Sequence, residues 1–522
     1  MRLRPSNGIW KSYKDKRIMI LVPHQDDELF LCGTILGGLR QVTRNIFIVF
    51  TTNGDYGNNF YTRRKECIRA LSVYGVGKDN IFFLGYGDQY STEYGHMYHA
   101  PEDEIIISRA GYDNTYGDDF CMKSNNFHHT YTLSNFKKDL ENIIRLLLPD
   151  VFFCNDLDWH PEHRFTSLMF DKVMGELLEK DRNYRPAIYK GFIYFLGWDG
   201  KLDYKEINLD NTKKPHRYLI GDKRFELGNP YFLWSERISF PIDSSLVAQK
   251  RNSLYHAIQK YAFSKNAKRF YYSMMNSDAV FWKRETDNLL YDATIRVSSG
   301  KKEYLNDFVI ADSSNIIHKN MPFDKGVWYP NIEDITPKIE IVLKKVSKAH
   351  ALVFYRDVNS YARIECKLCI IVKGLKNGEM YNYNIEHNIK KYEIKSMVKL
   401  DDAIDIVGIN ITMESNSIGF SEMELLRNTE PFFLKIQING NYIYNYYIDK
   451  EDRELLVGIR NYGIEPENVI REVIQASPSK ASVKWEKDRL YFEKDFKSCF
   501  IKISSKINSN IFDVVKILKS RK

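Results

Sequence analysis

The feature that most constrains this chain is a short apolar run that ends in a cluster of polar side chains. Ile18–Val22 is too short for a helix and rich in β-branched residues, so it predicts a buried strand. Pro23 has no N–H to donate to a strand ladder and marks the end of that strand. The polar cluster follows at once and comprises His24, Asp26, Asp27 and Glu28. Open α/β sheets bind ligands at the carboxyl ends of their strands, so this stretch predicts a functional site. The alternative is a solvated turn whose acidic residues cap the next helix.

The residues up to about 180 alternate strand and helix patterns, which predicts the sheet around this first strand. An apolar helical face follows it at Leu29–Gln41, and further buried strands are predicted at Asn45–Thr51, Asn80–Leu84 and Asp150–Cys154. This order predicts an α/β fold with a Rossmann-like, doubly wound parallel sheet. Residues 85–132 show little periodicity, and a loop of this length in a compact domain is usually functional or disordered.

A second polar cluster follows the fourth predicted strand. It contains Asp158, His160 and His163. In a parallel sheet, the loops after the first and fourth strands open on the same edge, so their side chains can converge. The alternative is a surface turn of the H-P-x-H type with incidental histidines.

The two clusters together contain the donors of a catalytic zinc site. Two imidazoles and one carboxylate, with a water in the fourth position, form such a site. The candidate ligands are His24, Asp27 and His163. Zinc lowers the pKa of the bound water toward about 7, so hydroxide becomes available at neutral pH. A His/His/Asp set also accepts other divalent ions, so the identity of the metal stays open.

The remaining residues of the two clusters have chemistry that suits hydrolysis. Asp26 is free to accept a proton from the attacking water. His160, three residues before His163, does not share its direction and suits a group that stabilises an oxyanion. Asp158 is a candidate for the outer carboxylate that orients a metal-binding histidine.

Length and composition limit the other possibilities. At 522 residues the chain exceeds one ordinary domain, and a formal charge of +8 with scattered lysines predicts no nucleic-acid partner. Seven scattered cysteines predict a reducing compartment instead of a disulfide framework. Cys366 and Cys369 lie three apart on a predicted strand and therefore on opposite faces, which indicates a structural role. The N-terminus lacks the apolar core of a signal peptide, and no uncharged run is long enough to span a membrane. We therefore expect a cytoplasmic protein with no membrane span.

The two clusters resemble the motifs of the PIG-L/LmbE-like family, the zinc-dependent N-acetylglucosaminyl de-N-acetylases. The family motif H-P-D-D-E resembles His24–Glu28, and the motif H-P-D-H resembles His160–His163. Between them, Thr51–Asp55 resembles the family's T-x-G turn, and Arg63–Glu66 resembles its R-x-x-E helix. The family also has a late K…H-x-x-Q helix, and Lys250, His256 and Gln259 resemble it. The resemblance spans about half of the chain.

Carried over by position, the resemblance implies the roles already described for the two clusters: zinc ligands, general base and electrostatic partner of the tetrahedral intermediate. It also implies that Arg63 contacts the sugar or an attached phosphate. The alternative for Arg63 is an exposed helical arginine paired with Glu66. Two positions depart from the family motifs, because Gln25 replaces the usual proline and Glu162 the usual aspartate. Both are expected to change the shape of their loops and thereby the choice of substrate.

The activity implied is hydrolysis of the acetamido group of an N-acetylated sugar or glycoconjugate, with release of acetate. Tyrosine rings stack on sugars, so the loop at 85–132 would form a rim for one. Its tyrosines are Tyr86, Tyr90, Tyr94, Tyr98, Tyr112 and Tyr116. Two alternatives stay open at this point: a zinc amidase that acts on another N-acyl substrate, and a non-catalytic glycan-binding protein on the same fold.

The second half of the chain resembles a galactose-binding-like, discoidin-type β-sandwich. Ala293–Gly300 and Val327–Tyr329 resemble its opening, and Gly419–Leu425 resembles its close. The resemblance implies a glycan bound near an attached enzyme, or a sandwich that only buttresses the catalytic domain. We therefore predict three domains: an LmbE-like deacetylase domain at 1–288, a β-sandwich at 289–428, and a small β-rich domain of unknown role at 429–522.

Overall fold

The computed structural model describes residues 10–520, with gaps. The gaps are at 58, 159, 194–237, 242–252, 266, 269–270, 272–277, 312–320, 325, 358–363, 392, 428–433, 439–440, 443–444, 462–465 and 507–511. The described elements form three groups along the chain: a mixed sheet with helices, followed by two sets of β-sheets. Among the described residues, no helix is both long and apolar enough to cross a membrane.

Among the described residues, the first group contains nine strands and seven α-helices. The strands are Ile18–Val22 (β1), Ile46–Thr52 (β2), Ile81–Tyr86 (β3), Tyr90–Ser91 (β4), Ile107–Ser108 (β5), Val151–Asn155 (β6), Ala187–Gly191 (β7), Ile238–Pro241 (β8) and Asp278–Arg284 (β9). The helices are Asp27–Cys32 (α1), Leu36–Val42 (α2), Phe60–Ser72 (α3), Phe120–Asn125 (α4), Leu133–Leu147 (α5), Pro161–Lys180 (α6) and Ser253–Ile258 (α7).

Seven of these strands form one sheet in the order β3-β2-β1-β6-β7-β9-β8. The first five of this order pair in parallel, and β1 lies between β2 and β6, where the order reverses. The predicted doubly wound parallel sheet is thus confirmed, with β9 and β8 added as an antiparallel edge. Such an edge is common on parallel sheets. The reversal at β1 is the position at which sheets of this type bind ligands.

Both faces of the sheet are covered, which explains the continuous apolar character of its strands. Ile18 and Ile20 pack into one core, and Met19 and Leu21 pack into the core on the opposite face. The helical face predicted at Leu29–Gln41 is divided between α1 and α2. Gly33 lies at this break and is pressed against α7, because a Cβ there would lie 2.6 Å from the side chain of Leu254.

The second group is a β-sandwich, as predicted. Its strands are Thr294–Val297 (β10), Lys338–Lys348 (β11), Ala351–Arg356 (β12), Cys366–Lys376 (β13), Glu379–Ile389 (β14), Lys395–Lys399 (β15), Asp405–Met413 (β16) and Phe420–Leu426 (β17). They form a five-stranded sheet, β10-β11-β16-β13-β14, and a three-stranded sheet, β15-β12-β17. One apolar core joins the two sheets, with Ile370 on the first and Phe354 on the second. Cys366 is buried and Cys369 exposed, so they lie on opposite faces as predicted.

The third group contains the last nine strands and has an apolar core of its own. They are Leu434–Ile438 (β18), Asn441–Tyr442 (β19), Asn445–Ile448 (β20), Glu454–Asn461 (β21), Val469–Ser477 (β22), Val483–Glu486 (β23), Arg489–Phe492 (β24), Ser498–Ser505 (β25) and Phe512–Lys519 (β26). Ile474 and Phe500 of this group pack into the same cluster as Phe240 of β8. The domain boundaries near 288 and 428 stay a prediction.

Candidate active site

The side chains predicted to form a site meet at the carboxyl ends of β1 and β6. His24 and Asp27 follow β1, and His163 lies in the first turn of α6, which follows β6. Their exposed fractions are 5% for His24 and 0% for Asp27 and His163. Neither loop is therefore a solvated turn, and Asp26, at the N-cap of α1, makes no side-chain capping bond.

One carboxylate oxygen joins the two imidazoles. Asp27 Oδ2 lies 3.0 Å from His24 Nδ1 and 3.2 Å from His163 Nε2. The second nitrogen of each ring faces another carboxylate. His24 Nε2 lies 3.1 Å from Asp88 Oδ1, and His163 Nδ1 lies 2.7 Å from Asp158 Oδ2. Each ring is thus oriented by an outer carboxylate while its other nitrogen points at Asp27.

These donors fit a divalent metal ion. His24, His160 and His163 each offer a ring nitrogen, and these nitrogens lie within 4.8 Å of one another. Asp27 Oδ1 is buried and has no hydrogen-bond partner among the described residues. Burial works against ionisation of Asp27, but His163 and His24 outweigh it and hold the pKa of Asp27 below its usual range. Imidazoles around an ionised carboxylate are a donor set that zinc accepts.

Asp26 is the second carboxylate of the site and has an unusual backbone. Its φ is 134°, in a region that residues other than glycine rarely adopt. The Asp26 N–H donates to Glu28 Oε2 at 2.8 Å. Arg63 Nη2 lies 3.2 Å from Asp26 Oδ1, and the hydroxyl of Tyr271 donates to Asp26 Oδ2. Burial raises the pKa of Asp26, and Arg63 only partly offsets this rise, so the carboxyl is a stronger base than an exposed aspartate.

His160 lies at the N-cap of α6, beside the other two histidines. Its ring centroid is 4.8 Å from that of His24 and 4.7 Å from that of His163. His160 Nδ1 accepts the backbone N–H of Glu162 at 3.3 Å, so in the neutral ring Nε2 carries the hydrogen. Burial, together with His163 and His24, holds the pKa of His160 well below its usual value, which keeps the ring neutral.

Arg63 is held at the site and is not an exposed helical arginine. Besides its ion pair with Asp26, it donates to the carbonyl oxygens of Gln25 at 2.8 Å and Gly54 at 3.2 Å. Glu66, the predicted alternative partner, instead accepts the N–H of Ala262 at 3.1 Å, so that alternative is wrong. Gly54 has a φ of 60°, and a Cβ there would lie 2.7 Å from Arg63 Nη1. Glycine at this turn therefore makes room for the guanidinium.

The two departures from the family motifs both tie their loops to neighbours. Gln25 is buried and donates through Nε2 to the carbonyl oxygen of Thr52 at 2.9 Å, which links the loop after β1 to the end of β2. Glu162 Oε1 accepts the N–H of Gln89 at 3.0 Å and lies 3.2 Å from His96 Nε2. The side chain of Glu162 thus holds the long loop that follows β3.

A cavity of about 430 Å³ opens beside these groups. Its aromatic side consists of Tyr261, Phe263 and Tyr271, whose rings are stacked: the centroids of Phe263 and Tyr271 lie 4.1 Å apart at 16°. The described residues that line the cavity are His24, Asp26, Asn59, Thr62, Arg63, Glu66, Asp88, His160, Tyr261, Ala262, Phe263 and Tyr271.

We predicted that six tyrosines of the 85–132 loop would form a rim for the sugar, but none of them is among the residues that line this cavity. Tyr86, Tyr90 and Tyr98 are instead buried, with exposed fractions of 0%, 4% and 7%. They join the apolar core on one face of the sheet together with Phe136 and Phe165. The burial of apolar ring surface explains why these residues face inward.

Besides the aromatic side of the cavity, two residues that contact the predicted site residues were not predicted from the sequence. Asp88 follows β3 at the same edge of the sheet, so the rule applied to the first and fourth strands would have found it. Tyr271 reaches Asp26 from 245 positions away and gave no local signal. Of the late family motif, Lys250 lies outside the described residues, and His256 on α7 is exposed.

Fold and site together define a class of protein: an α/β domain with buried imidazoles and carboxylates at the carboxyl ends of parallel strands, open to a cavity. Residues 19–174 match the PIG-L family, described as GlcNAc-PI de-N-acetylase. The family resemblance predicted from the motifs is thereby confirmed for this part of the chain. No curated protein matches the chain.

Several solved structures are similar to parts of the chain. One is N,N'-diacetylchitobiose deacetylase from Pyrococcus horikoshii, at 20% identity and a TM-score of 0.24, covering 36% of this chain and 64% of that one. A family 32 CBM from Clostridium perfringens NanJ, in complex with galactose, has 15% identity and a TM-score of 0.19, covering 26% and 95%. The lectin domain of lectinolysin, complexed with Lewis B antigen, has 16% identity and a TM-score of 0.21, covering 28% and 99%. At these TM-scores, none of the likenesses bears on function.

Proposed function

We propose that this chain is a metal-dependent hydrolase that removes the acetyl group from an N-acetylated sugar of the GlcNAc type and releases acetate. The observation that carries the proposal is the convergence of His24 Nδ1 and His163 Nε2 on one oxygen of Asp27, at 3.0 and 3.2 Å. A second carboxylate, Asp26, stands beside them at a cavity. The PIG-L match over residues 19–174 supports the choice of an acetamido sugar as substrate.

Zinc is the metal proposed for this site, with His24, Asp27 and His163 as its ligands. Asp88 and Asp158 would orient the two histidines through their outer nitrogens. When bound, zinc supplies a water whose pKa is lowered to about 7 and polarises the acyl carbonyl. Other divalent ions suit the same donors, so the identity of the metal is a matter for direct analysis.

The other residues of the site would handle protons and charge. Asp26 would accept a proton from the attacking water, with Arg63 and Tyr271 fixing its two oxygens. That proton would then pass to the nitrogen of the leaving amine as the C–N bond breaks. His160 would donate its Nε2–H to the acyl oxygen as negative charge develops there. A positioned general base contributes about 10²–10⁴-fold to the rate.

The cavity supports a small carbohydrate substrate. Its volume of about 430 Å³ lies within the range of small-molecule sites. The stacked rings of Tyr261, Phe263 and Tyr271 give it an apolar side on which one face of a sugar could lie. Arg63 and Glu66 supply charged groups on the lining, and the predicted contact of Arg63 with the sugar or its phosphate is part of this proposal.

The β-sandwich has direct contacts that favour the buttressing role. Arg164 Nε on α6 donates to the carbonyl oxygen of Pro322 at 2.8 Å, and the hydroxyl of Tyr98 donates to Asp324 Oδ2 at 2.6 Å. Arg284 Nη2 on β9 donates to the carbonyl oxygen of Phe308 at 2.6 Å. Glycan binding by the sandwich and a cytoplasmic location stay predictions.

The decisive experiment is acetate release from a panel of N-acetylated mono- and disaccharides, measured with metal content on the same preparation. We expect release that is abolished by chelation and restored by zinc. Protein that holds metal at the His24 and His163 site but hydrolyses no acyl-amine would overturn the proposal. Release from N-acyl amino acids in place of sugars would favour the amidase alternative.

A further inference from the structure

A second group of metal-capable side chains lies away from the candidate active site. Cys121 on α4, His129 in the following loop and Asp139 on α5 each offer one donor atom, and the three atoms lie within 4.8 Å of one another. Their exposed fractions are 0%, 6% and 1%. We infer that these residues form a second, structural metal site that takes a divalent cation with a preference for thiolate, Zn²⁺ above all.

These side chains suit zinc in a buried position as three of the four ligands that a tetrahedral ion takes. Thiolate, imidazole and carboxylate are the three side-chain ligands that proteins use for zinc. A thiolate and a carboxylate together carry two negative charges, which Zn²⁺ neutralises, while His129 stays uncharged. Buried charges are found where they are paired or bind metals, and this combination leaves no net charge in the interior. The thiol proton of Cys121 would pass to solvent on binding.

The carboxylate of Asp139 provides a separate indication. Its Oδ2 serves two partners, since the hydroxyl of Tyr86 donates to it at 2.8 Å and His129 Nδ1 lies 2.9 Å away. Its Oδ1 is buried and has no hydrogen-bond partner among the described residues. An unpaired carboxylate oxygen in the interior is costly, because it has lost its water without a replacement. A metal ion beside Cys121 and His129 would satisfy it.

The position of the cluster indicates that its metal would stabilise the segment between β3 and α5. The chain between β3 and α5 contains only short elements: two two-residue strands, one turn of 3₁₀ helix and the six-residue α4. Such a segment gains little from regular hydrogen bonding, and a metal that joins α4, the next loop and α5 would hold it in place. This segment also provides Asp88 to His24 and Gln89 to Glu162. The second metal would therefore hold one wall of the candidate active site.

The sulfur ligand separates this site from the first one, whose donors are nitrogen and oxygen only. We would measure metal content, zinc X-ray absorption and the near-ultraviolet absorption of the Co²⁺-substituted protein for the whole chain. We expect a zinc–sulfur distance of about 2.3 Å and a thiolate-to-cobalt band. Both should persist in His163→Ala, where the first site is disabled, so this outcome does not depend on the proposed function.

The matched pair of variants is Cys121→Ser and Cys67→Ser, since both cysteines are buried. We expect the first to lose the sulfur signals and one metal ion per chain, and the second to keep both. Absence of any zinc–sulfur signal in the wild-type chain and in His163→Ala would overturn the inference, even if Cys121→Ser does not fold. Loss of the signal in Cys67→Ser alone would overturn it as well.

Discussion

The two metal-capable clusters of this chain use similar donors in different surroundings. In each, a buried aspartate contacts a histidine, with Asp27 at 3.0 Å from His24 and Asp139 at 2.9 Å from His129. The first cluster joins two loops that lie far apart in sequence, and it borders a cavity of about 430 Å³. The second comes from one short stretch of the chain, and its three side chains are buried, as are the predicted ligands of the first cluster.

The difference shows what a hydrolytic centre needs beyond ligands. A catalytic metal keeps a position open for water and substrate, whereas a structural metal is enclosed by protein. The first cluster has the cavity, and it also has Asp26, a carboxylate that does not contact either imidazole of the predicted ligand set and is held instead by Arg63 and Tyr271. Besides the sulfur ligand of the second cluster, access to a cavity and a free base distinguish the two sites.

The largest effect is expected from a substitution that removes a metal ligand of the first cluster. His163→Ala should remove the metal of the first site and reduce acetate release to background, because His163 Nε2 is one of the nitrogens at Asp27. His387→Ala, on β14 of the sandwich and not among the residues that line the cavity, is the matched control and should behave like the wild type. Metal analysis and an acetate assay check this, with circular dichroism to verify the fold. Wild-type activity in His163→Ala would refute a catalytic role for the first cluster.

Asp26→Asn separates the base from the metal. We expect metal content to stay unchanged and kcat to fall by about 10²–10⁴-fold, the usual contribution of a general base. Asp79→Asn, an exposed change in the turn before β3, serves as the control. If Asp26→Asn lost its metal along with its activity, Asp26 would be a ligand and the assigned roles would be refuted.

Asp158→Asn tests whether the carboxylates that contact the outer nitrogens of the two histidines contribute to metal binding. Asp158 Oδ2 lies 2.7 Å from His163 Nδ1, and such partners typically contribute 10–100-fold to metal affinity or activity. We expect metal affinity to drop by about that factor, measured by competition with a chromophoric chelator. Asp88→Asn should act in the same direction through His24. An unchanged affinity in both variants would show that neither ring depends on its outer carboxylate.

Tyr271→Phe is expected to give the smallest effect. It removes the hydroxyl that donates to Asp26 Oδ2 but keeps the ring in its stack with Phe263. A hydrogen bond to a charged group contributes about 1.5–3 kcal/mol, but Arg63 still pairs with Asp26 in the variant, so we expect kcat to fall by only roughly two- to tenfold. Tyr74→Phe is the control, because its buried hydroxyl donates to the carbonyl oxygen of Gly33 instead. A fall in metal content with Tyr271→Phe would contradict a role confined to Asp26.

The sequence alone predicted the sheet, the sandwich and the two loops that meet, because each rests on short-range patterns. The apolar run Ile18–Val22, the proline stop and the polar residues behind it are local features, and the parallel-sheet rule then brought His24 and His163 to one edge. The same rule, applied to β3, would have added Asp88. Asp158 was predicted only as the outer carboxylate of a metal-binding histidine, and the structure places it at His163.

Only the tertiary structure decided which aromatic residues line the cavity and what holds Asp26. Tyr86, Tyr90 and Tyr98 lie in the core, while Tyr261 and Tyr271 line the cavity from much later in the chain. Residues a few positions apart share a strand or a helix turn, so their spacing sets their relative direction. Contacts across more than 200 positions depend on how whole elements pack, and neither composition nor periodicity encodes that direction.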